Sequence, residues 1–293
     1  MSTKWLPSLL IPEIYFPVKD QEGMSSYLIE QHATEGFYKS FEISDIKSEQ
    51  ERKQIGCLVE RYNIEVTQWL PSLIKRNKLD LSSLNPQVRG ESIRQIKENL
   101  YFASECGAGS VALISGGDPG PEQKTTAFAS MFDSLSEICE EAAKYPINVL
   151  IEPIGYKASL NGLLGPINLV SHMIDRLKEN YENIGLVFDT AHIALNEEDI
   201  FNALQLTKSH ITGIHLSNAV LDKDSLIYGD NHIPVGEPGF LTMDLMNQFL
   251  RKAGRILNRE VKVAIEVRNG NFDECRTMEN KIRKIQKSLL SNL

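Results

Sequence analysis

The chain has 293 residues, 42% hydrophobic and 24% charged, which suits a large apolar core and excludes a fibrous or low-complexity protein. A net charge of −8 and a pI near 5.4 exclude the basic footprint of a nucleic-acid or anionic-membrane binder. Cys57, Cys106, Cys139 and Cys275 form no CxxC pair, so a zinc ribbon is excluded and reduced thiols in a cytoplasmic protein are expected.

The N-terminal stretch, "MSTKWLPSLLIPEIYFPVKD", is broken by three prolines and has neither the h-region nor the cleavage site of a signal peptide. No stretch approaches the roughly 18 apolar residues of a membrane span. Short β-branched runs then alternate with longer amphipathic segments. The strand candidates are "WLPSLLI" from Trp5, "FYKSFEIS" from Phe37, "NIEVTQWL" from Asn63 and "GSVALIS" from Gly109. They continue with "NVLIEPI" from Asn148, "IGLVFDT" from Ile184, "ITGIHLS" from Ile211 and "VKVAIEV" from Val261. Between them, "VRGESIRQIKENLYFASECGAG" sets Ile93, Ile96, Leu100 and Ala103 on one helical face and stops at glycine. "FASMFDSLSEICEEAAKY", "NLVSHMIDRLKENYEN", "LTMDLMNQFLRKAG" and "MENKIRKIQKSLLSNL" behave alike.

Eight strands, each followed by a helix, predict an α/β chain folded as a single-domain (β/α)8 TIM barrel over 1–293. The rival is a doubly wound open sheet, which usually carries a glycine-rich phosphate loop after its first strand; none is present. "SGGDPGPE" matches neither the P-loop nor the dinucleotide fingerprint.

In such a barrel the C-terminal strand ends surround the active site. The fifth strand ends on Glu152, the sixth on Asp189, the seventh on His215 and the eighth on Glu266. Any one of these has a plain alternative, as a helix cap or a satisfied buried donor. Four on consecutive strands form a mixed N/O set suited to one divalent cation: Mn²⁺ first, with Mg²⁺, Co²⁺ or Zn²⁺ as alternatives. Without a cation, three converging carboxylates would repel and take up protons. The segment "YGDNHIPVGEPGFLTMDL" carries a second pair, Asp230 and His232, read either as an Asx-turn with a surface histidine or as a second-site or lid element over the mouth. His32, His172 and His210 fall in or beside helices and are set aside.

These residues resemble the xylose isomerase-like TIM barrels, also described as the sugar-phosphate isomerase/epimerase or AP endonuclease 2 group. The resemblance spans nearly the whole chain and rests on "LIEP", "FDTAH", "GIHLSN", "GDNHIPVGEPG" and "IEV", in that order. It implies metal ligands at Glu152, Asp189, His215 and Glu266, with Glu152 and Glu266 doubling as catalytic acid and base. It also implies a substrate-binding His192 and a glutamate at Glu42. Two departures stand out. The zinc endonucleases of the group carry further histidines where this chain reads "VTQWLPS" and "LISGGDPG", and ketose epimerases place a glutamate at the position of Ala158. Lys157 or Arg268 is expected to supply the missing substrate contacts, and Trp69 and Phe16 an apolar wall.

The resemblance therefore implies a metal-dependent sugar isomerase or epimerase acting on a ketose or related polyol by proton abstraction next to a carbonyl. An inosose-type dehydratase or sugar lyase is the alternative, and an AP endonuclease-type phosphodiesterase is disfavoured by the acidic pI. Its partner is a small-molecule sugar or polyol, with no nucleic acid and no membrane; a homo-oligomer is compatible with this reading.

Overall fold

Strand and helix alternate along the chain as the periodicity predicts. The computed structural model describes residues 2–154, 162–291 and 293. Its strands are β1 (Lys4–Leu10), β2 (Ser40–Ile43), β3 (Glu65–Trp69), β4 (Ser110–Leu113), β5 (Asn148–Ile151), β6 (Ile184–Asp189), β7 (Ile211–Val220), β8 (Gly229–Ile233) and β9 (Glu260–Glu266). Parallel pairing runs from β1 through β7, then to β9 and back to β1, closing a (β/α)8 barrel. β8 stands outside this ring. It pairs antiparallel with the overhanging end of β7, Asn218 opposite Ile233 and Val220 opposite Gly229. The β7–β9 segment expected as loop therefore contains a strand. Among the described residues no helix is long and apolar enough to cross a membrane.

The helices follow their sequence signals. Helix Pro86–Glu105 begins where the Asn85 side chain accepts from the Gln87 and Val88 N–H groups, with proline at the first position. It buries Ile93, Ile96, Leu100 and Ala103, the predicted face, and the chain then turns at Gly107, whose φ of +66° suits glycine. Each large apolar side chain buried this way contributes roughly 1.5–3 kcal/mol.

Inside the barrel, Leu10, Trp69, Ala112, Leu150, Val187 and Ala264 form an apolar plug. Successive strand residues face opposite ways, so a step of two moves one layer up the same inner face. From Leu150, Val187 and Ala264 that step reaches Glu152, Asp189 and Glu266. The plug thus supplies a dry floor, and its own strands carry the polar layer above it.

A different polar group is locked into the outer shell. His32, on helix Met24–Thr34, is fully buried, with Nε2 2.8 Å from the Tyr15 hydroxyl and Nδ1 3.3 Å from an Arg276 nitrogen. Burial first, then the Arg276 and Arg283 charges, lowers its pKa from 6.5 to about 3. An imidazole neutral in the fold but protonated when unfolded favours unfolding in acid. Its stability contribution is intact above about pH 6.5 and lost as pH falls toward 3. At about pH 4.5 this penalty is about 2–3 kcal/mol. Urea unfolding at pH 7 and 4.5 should show a smaller acid loss for His32→Gln than for the wild type; equal losses would assign the acid sensitivity to other groups.

Candidate active site

β5 ends at Ile151, and the Glu152 N–H donates to the Leu113 carbonyl (2.8 Å), which sets that glutamate at the inner rim. Asp189, the last residue of β6, lies beside His215 in the β6–β7 register, and Glu266, the last of β9, lies beside Ser217. The four predicted residues meet. His215 Nδ1 is 3.1 Å from Glu152 Oε1, 3.2 Å from Glu266 Oε2 and 4.0 Å from Asp189 Oδ2. All four are buried, none more than 1% exposed.

The other face of the imidazole fixes its protonation. His215 Nε2 lies 2.9 Å from Glu42 Oε2, and Ser8 Oγ donates to Glu42 Oε1 at 3.2 Å. A carboxylate only accepts and both ring nitrogens face carboxylates, so without a cation the ring keeps a proton on each; a cation taking the place of the Nδ1 proton would leave the other hydrogen on Nε2, toward Glu42. Glu42 thus holds the imidazole from its outer side and fixes the orientation of the ring toward the three carboxylates.

Asp189 resolves the tension in "LVFDTAH", an apolar run ending on two polar groups. Its Oδ1 accepts from the His192 N–H at 2.9 Å and caps helix Thr190–Leu195. Its Oδ2 makes no hydrogen bond, nor does either oxygen of Glu266. One carboxylate thus caps the helix with one oxygen and leaves the other facing inward without a donor.

Unpaired buried carboxylate oxygens are costly, and the site shows it electrostatically. Burial, aided by Glu266 and Glu152, pushes the Asp189 carboxyl well above the usual range despite His192. Burial alone would lower His215; the Glu42 charge and the close approach of the Glu152, Glu266 and Glu42 carboxylates raise it well above its ordinary value. Burial opposes ionisation of Glu266 as well, yet His232 and His215 hold its pKa well below normal. Protons on imidazoles here do what a cation would do. Four donor atoms within 4.8 Å of one another, with orphaned oxygens among them, fit a divalent ion.

The second pair lies beside the first. Asp230 Oδ2 is 3.2 Å from His192 Nε2 and 3.6 Å from His232 Nε2. His232 Nδ1 comes within 3.1 Å of Glu266 Oε1, from a backbone φ of +47° rare for a side-chain-bearing residue. Burial works against ionisation of both, yet His192 and His232 lower Asp230 to about 2, while Glu266 and Asp230 raise His232 to about 9. Glu13, His232 and Glu266 form a second group with converging donor atoms.

Arg268 donates two hydrogen bonds to Glu13, at 2.6 and 2.9 Å, and covers the Phe16 ring at 4.9 Å. Phe16 is 37% exposed. Lys157 lies outside the described residues, as does Ala158. His32, His172 and His210 instead contact Tyr15, Phe128 and Asp175. Two residues escaped the sequence reading in these roles. Glu13 follows the first strand between apolar neighbours and is 2% exposed, the signal used for strands five to eight but not applied there. Trp69 was expected as plain wall, yet its indole N–H donates to Glu152 Oε2 at 2.8 Å.

Barrel and site together define a class: closed (β/α)8 barrels whose C-terminal mouth gathers carboxylates around an inward-facing imidazole. The chain belongs to the xylose isomerase-like TIM barrel family, whose model matches residues 30–288. Among solved structures, a D-tagatose 3-epimerase-like protein is similar at 18% identity and TM-score 0.72, covering 100% of this chain and 99% of its own. The D-psicose 3-epimerase of Clostridium cellulolyticum H10, solved with D-tagatose, gives 16% identity, TM-score 0.64 and coverages of 99% and 97%. An IolI protein with a bound zinc atom gives 14% identity, TM-score 0.72 and coverages of 100% and 99%. At these identities the likeness is one of fold. Among curated proteins no significant sequence match is found.

Proposed function

We infer that the protein is a divalent-metal-dependent sugar isomerase or epimerase acting on a ketose or related polyol. One observation carries this reading: three buried carboxylates surround a single imidazole nitrogen on a dry floor, with oxygens left unpaired. The epimerase and zinc-holding structures of the same fold add support.

Glu152, Asp189, His215 and Glu266 would hold the ion, Mn²⁺ by preference. Bound there, a divalent cation supplies Lewis-acid stabilisation of the negative charge that develops on a carbonyl oxygen when the neighbouring carbon loses its proton. Glu152 and Glu266 come from different strands, so they address a substrate from two sides. One removes the proton and the other returns it to the opposite face, inverting the centre. His215 is kept in place by Glu42, and His192, braced by Asp230, donates to a substrate oxygen. Arg268, and Lys157 on the segment after β5, supply further polar contacts, while Asp230 and His232 serve as the lid or second-site pair. The floor of Leu10, Ala112, Leu150 and Val187 excludes water from below.

The test is NMR of free ketoses and inososes incubated in D₂O with the Mn²⁺-loaded protein. Exchange of one carbon-bound proton with appearance of the epimer is the expected result. Loss of water would assign the dehydratase chemistry instead, and no exchange with any member of the panel would overturn the reading.

A further inference from the structure

Glu152 is bonded differently from the other carboxylates of the centre. Glu152 and Glu266 both lie against His215 Nδ1, at 3.1 and 3.2 Å, but Glu152 alone of the three carboxylates also accepts from an indole N–H. Its Oε1 lies 3.1 Å from His215 Nδ1, and its Oε2 accepts from Trp69 Nε1 at 2.8 Å. The terminal torsion of a free glutamate is broad and roughly two-fold, so an unpinned carboxylate exchanges its oxygens readily. A rigid donor on one of them removes that freedom.

The placement of Trp69 suits this task. It is the last residue of β3, 5% exposed, and its ring is packed among Leu10, Ala112, Leu150, Val187 and Ala264. Its register partner on β4 is Ala112, a small residue that leaves room for an indole across the barrel interior. Packing fixes the ring, and the ring carries its one polar group out of the apolar layer to the carboxylate above. A buried indole N–H needs an acceptor, and Glu152 is the acceptor it has.

We propose that Trp69 is the positioning residue of Glu152: its indole N–H holds Oε2, so the glutamate presents Oε1 alone to the centre. The consequence for catalysis rests on the functional reading above; the hydrogen bond and its effect on Glu152 do not. Removing an outer partner of a metal-binding group typically costs about 10- to 100-fold in ion affinity or activity. Trp69→Phe, which keeps a ring but loses the donor, is expected to weaken Mn²⁺ binding by about that factor. It should lower kcat with little change in KM.

Two measurements test this. Trp5 and Trp69 are the only tryptophans, so Trp5→Phe leaves Trp69 as the sole indole emitter. In metal-free protein, adding Glu152→Gln to Trp5→Phe should shift the Trp69 emission maximum, because the indole loses a charged partner. Identical spectra would overturn the proposal without reference to any cation, and would do so even if Trp69→Phe failed to fold. Equilibrium dialysis with Mn²⁺ then compares Trp69→Phe with the wild type, thermal unfolding checking the fold. Equal affinities would also overturn it. A wild type that binds no Mn²⁺ would defeat the functional reading, and the emission comparison would still decide the role of Trp69.

Discussion

Glutamine at position 152 or 266 is expected to lower turnover at least about 1,000-fold while the barrel stays folded, within the range of a general acid or base lost from its site. The substitution keeps shape and volume and removes the proton-accepting charge. At position 152 the amide oxygen takes over the Trp69 hydrogen bond, and the backbone bond to Leu113 is untouched. At position 266 the amide replaces a carboxylate with no hydrogen bond of its own, wedged between His215 and His232. Thermal unfolding should therefore move by only a few degrees. A two-base scheme makes a sharper claim. With one glutamate replaced, the epimer whose proton faces the surviving glutamate still exchanges with D₂O but does not invert, and the other epimer does neither. Substrate NMR separates the two outcomes directly. If either variant, with its cation bound, turns over within tenfold of the wild type, the assignment of acid and base to these residues is wrong.

The parts of the site legible in the sequence are those generated by the strand period. Val187 to Asp189 and Ala264 to Glu266 are two-residue steps from apolar floor to polar rim, and any reader who places the strands recovers them. The helix after Asp189 was hidden by the same residues, because an aspartate that ends a strand and one that caps a helix look alike in "FDTAH". Long-range pairing was less visible. β8 is built around Gly229 and His232 in left-handed conformations and is followed at once by Pro234, Gly236, Pro238 and Gly239, so the segment reads as loop, and its strand character comes only from the overhang of β7. Trp69 was read correctly as interior and incompletely as chemistry. Nothing in "TQWLPS" says that one edge of the indole meets Glu152, 83 residues away.

Stripping the protein with a chelator is expected to abolish activity, and Mn²⁺ or Co²⁺ to restore it. The same treatment should leave a physical trace that needs no substrate. In the metal-free state three buried carboxylates share one imidazole nitrogen, and several of their oxygens find no donor. An ion bound there stabilises the folded chain but not the unfolded one, in which the ligands are scattered across positions 152 to 266. At about 1,000 times its dissociation constant the ion adds about 4 kcal/mol. For a chain of this length that corresponds to an increase in Tm of roughly 6–7 °C. His215→Asn should abolish the increase, because it removes the nitrogen on which the carboxylates converge, and Glu42→Gln should reduce it through the orientation of the same ring. Imidazole protons compete for these positions, so the increase should shrink as pH falls and His215 is protonated. Calorimetry of the stripped protein, with and without Mn²⁺, reads this effect. A Tm that ignores the ion, or one that responds equally in His215→Asn, would place any bound cation somewhere other than the mouth of the barrel.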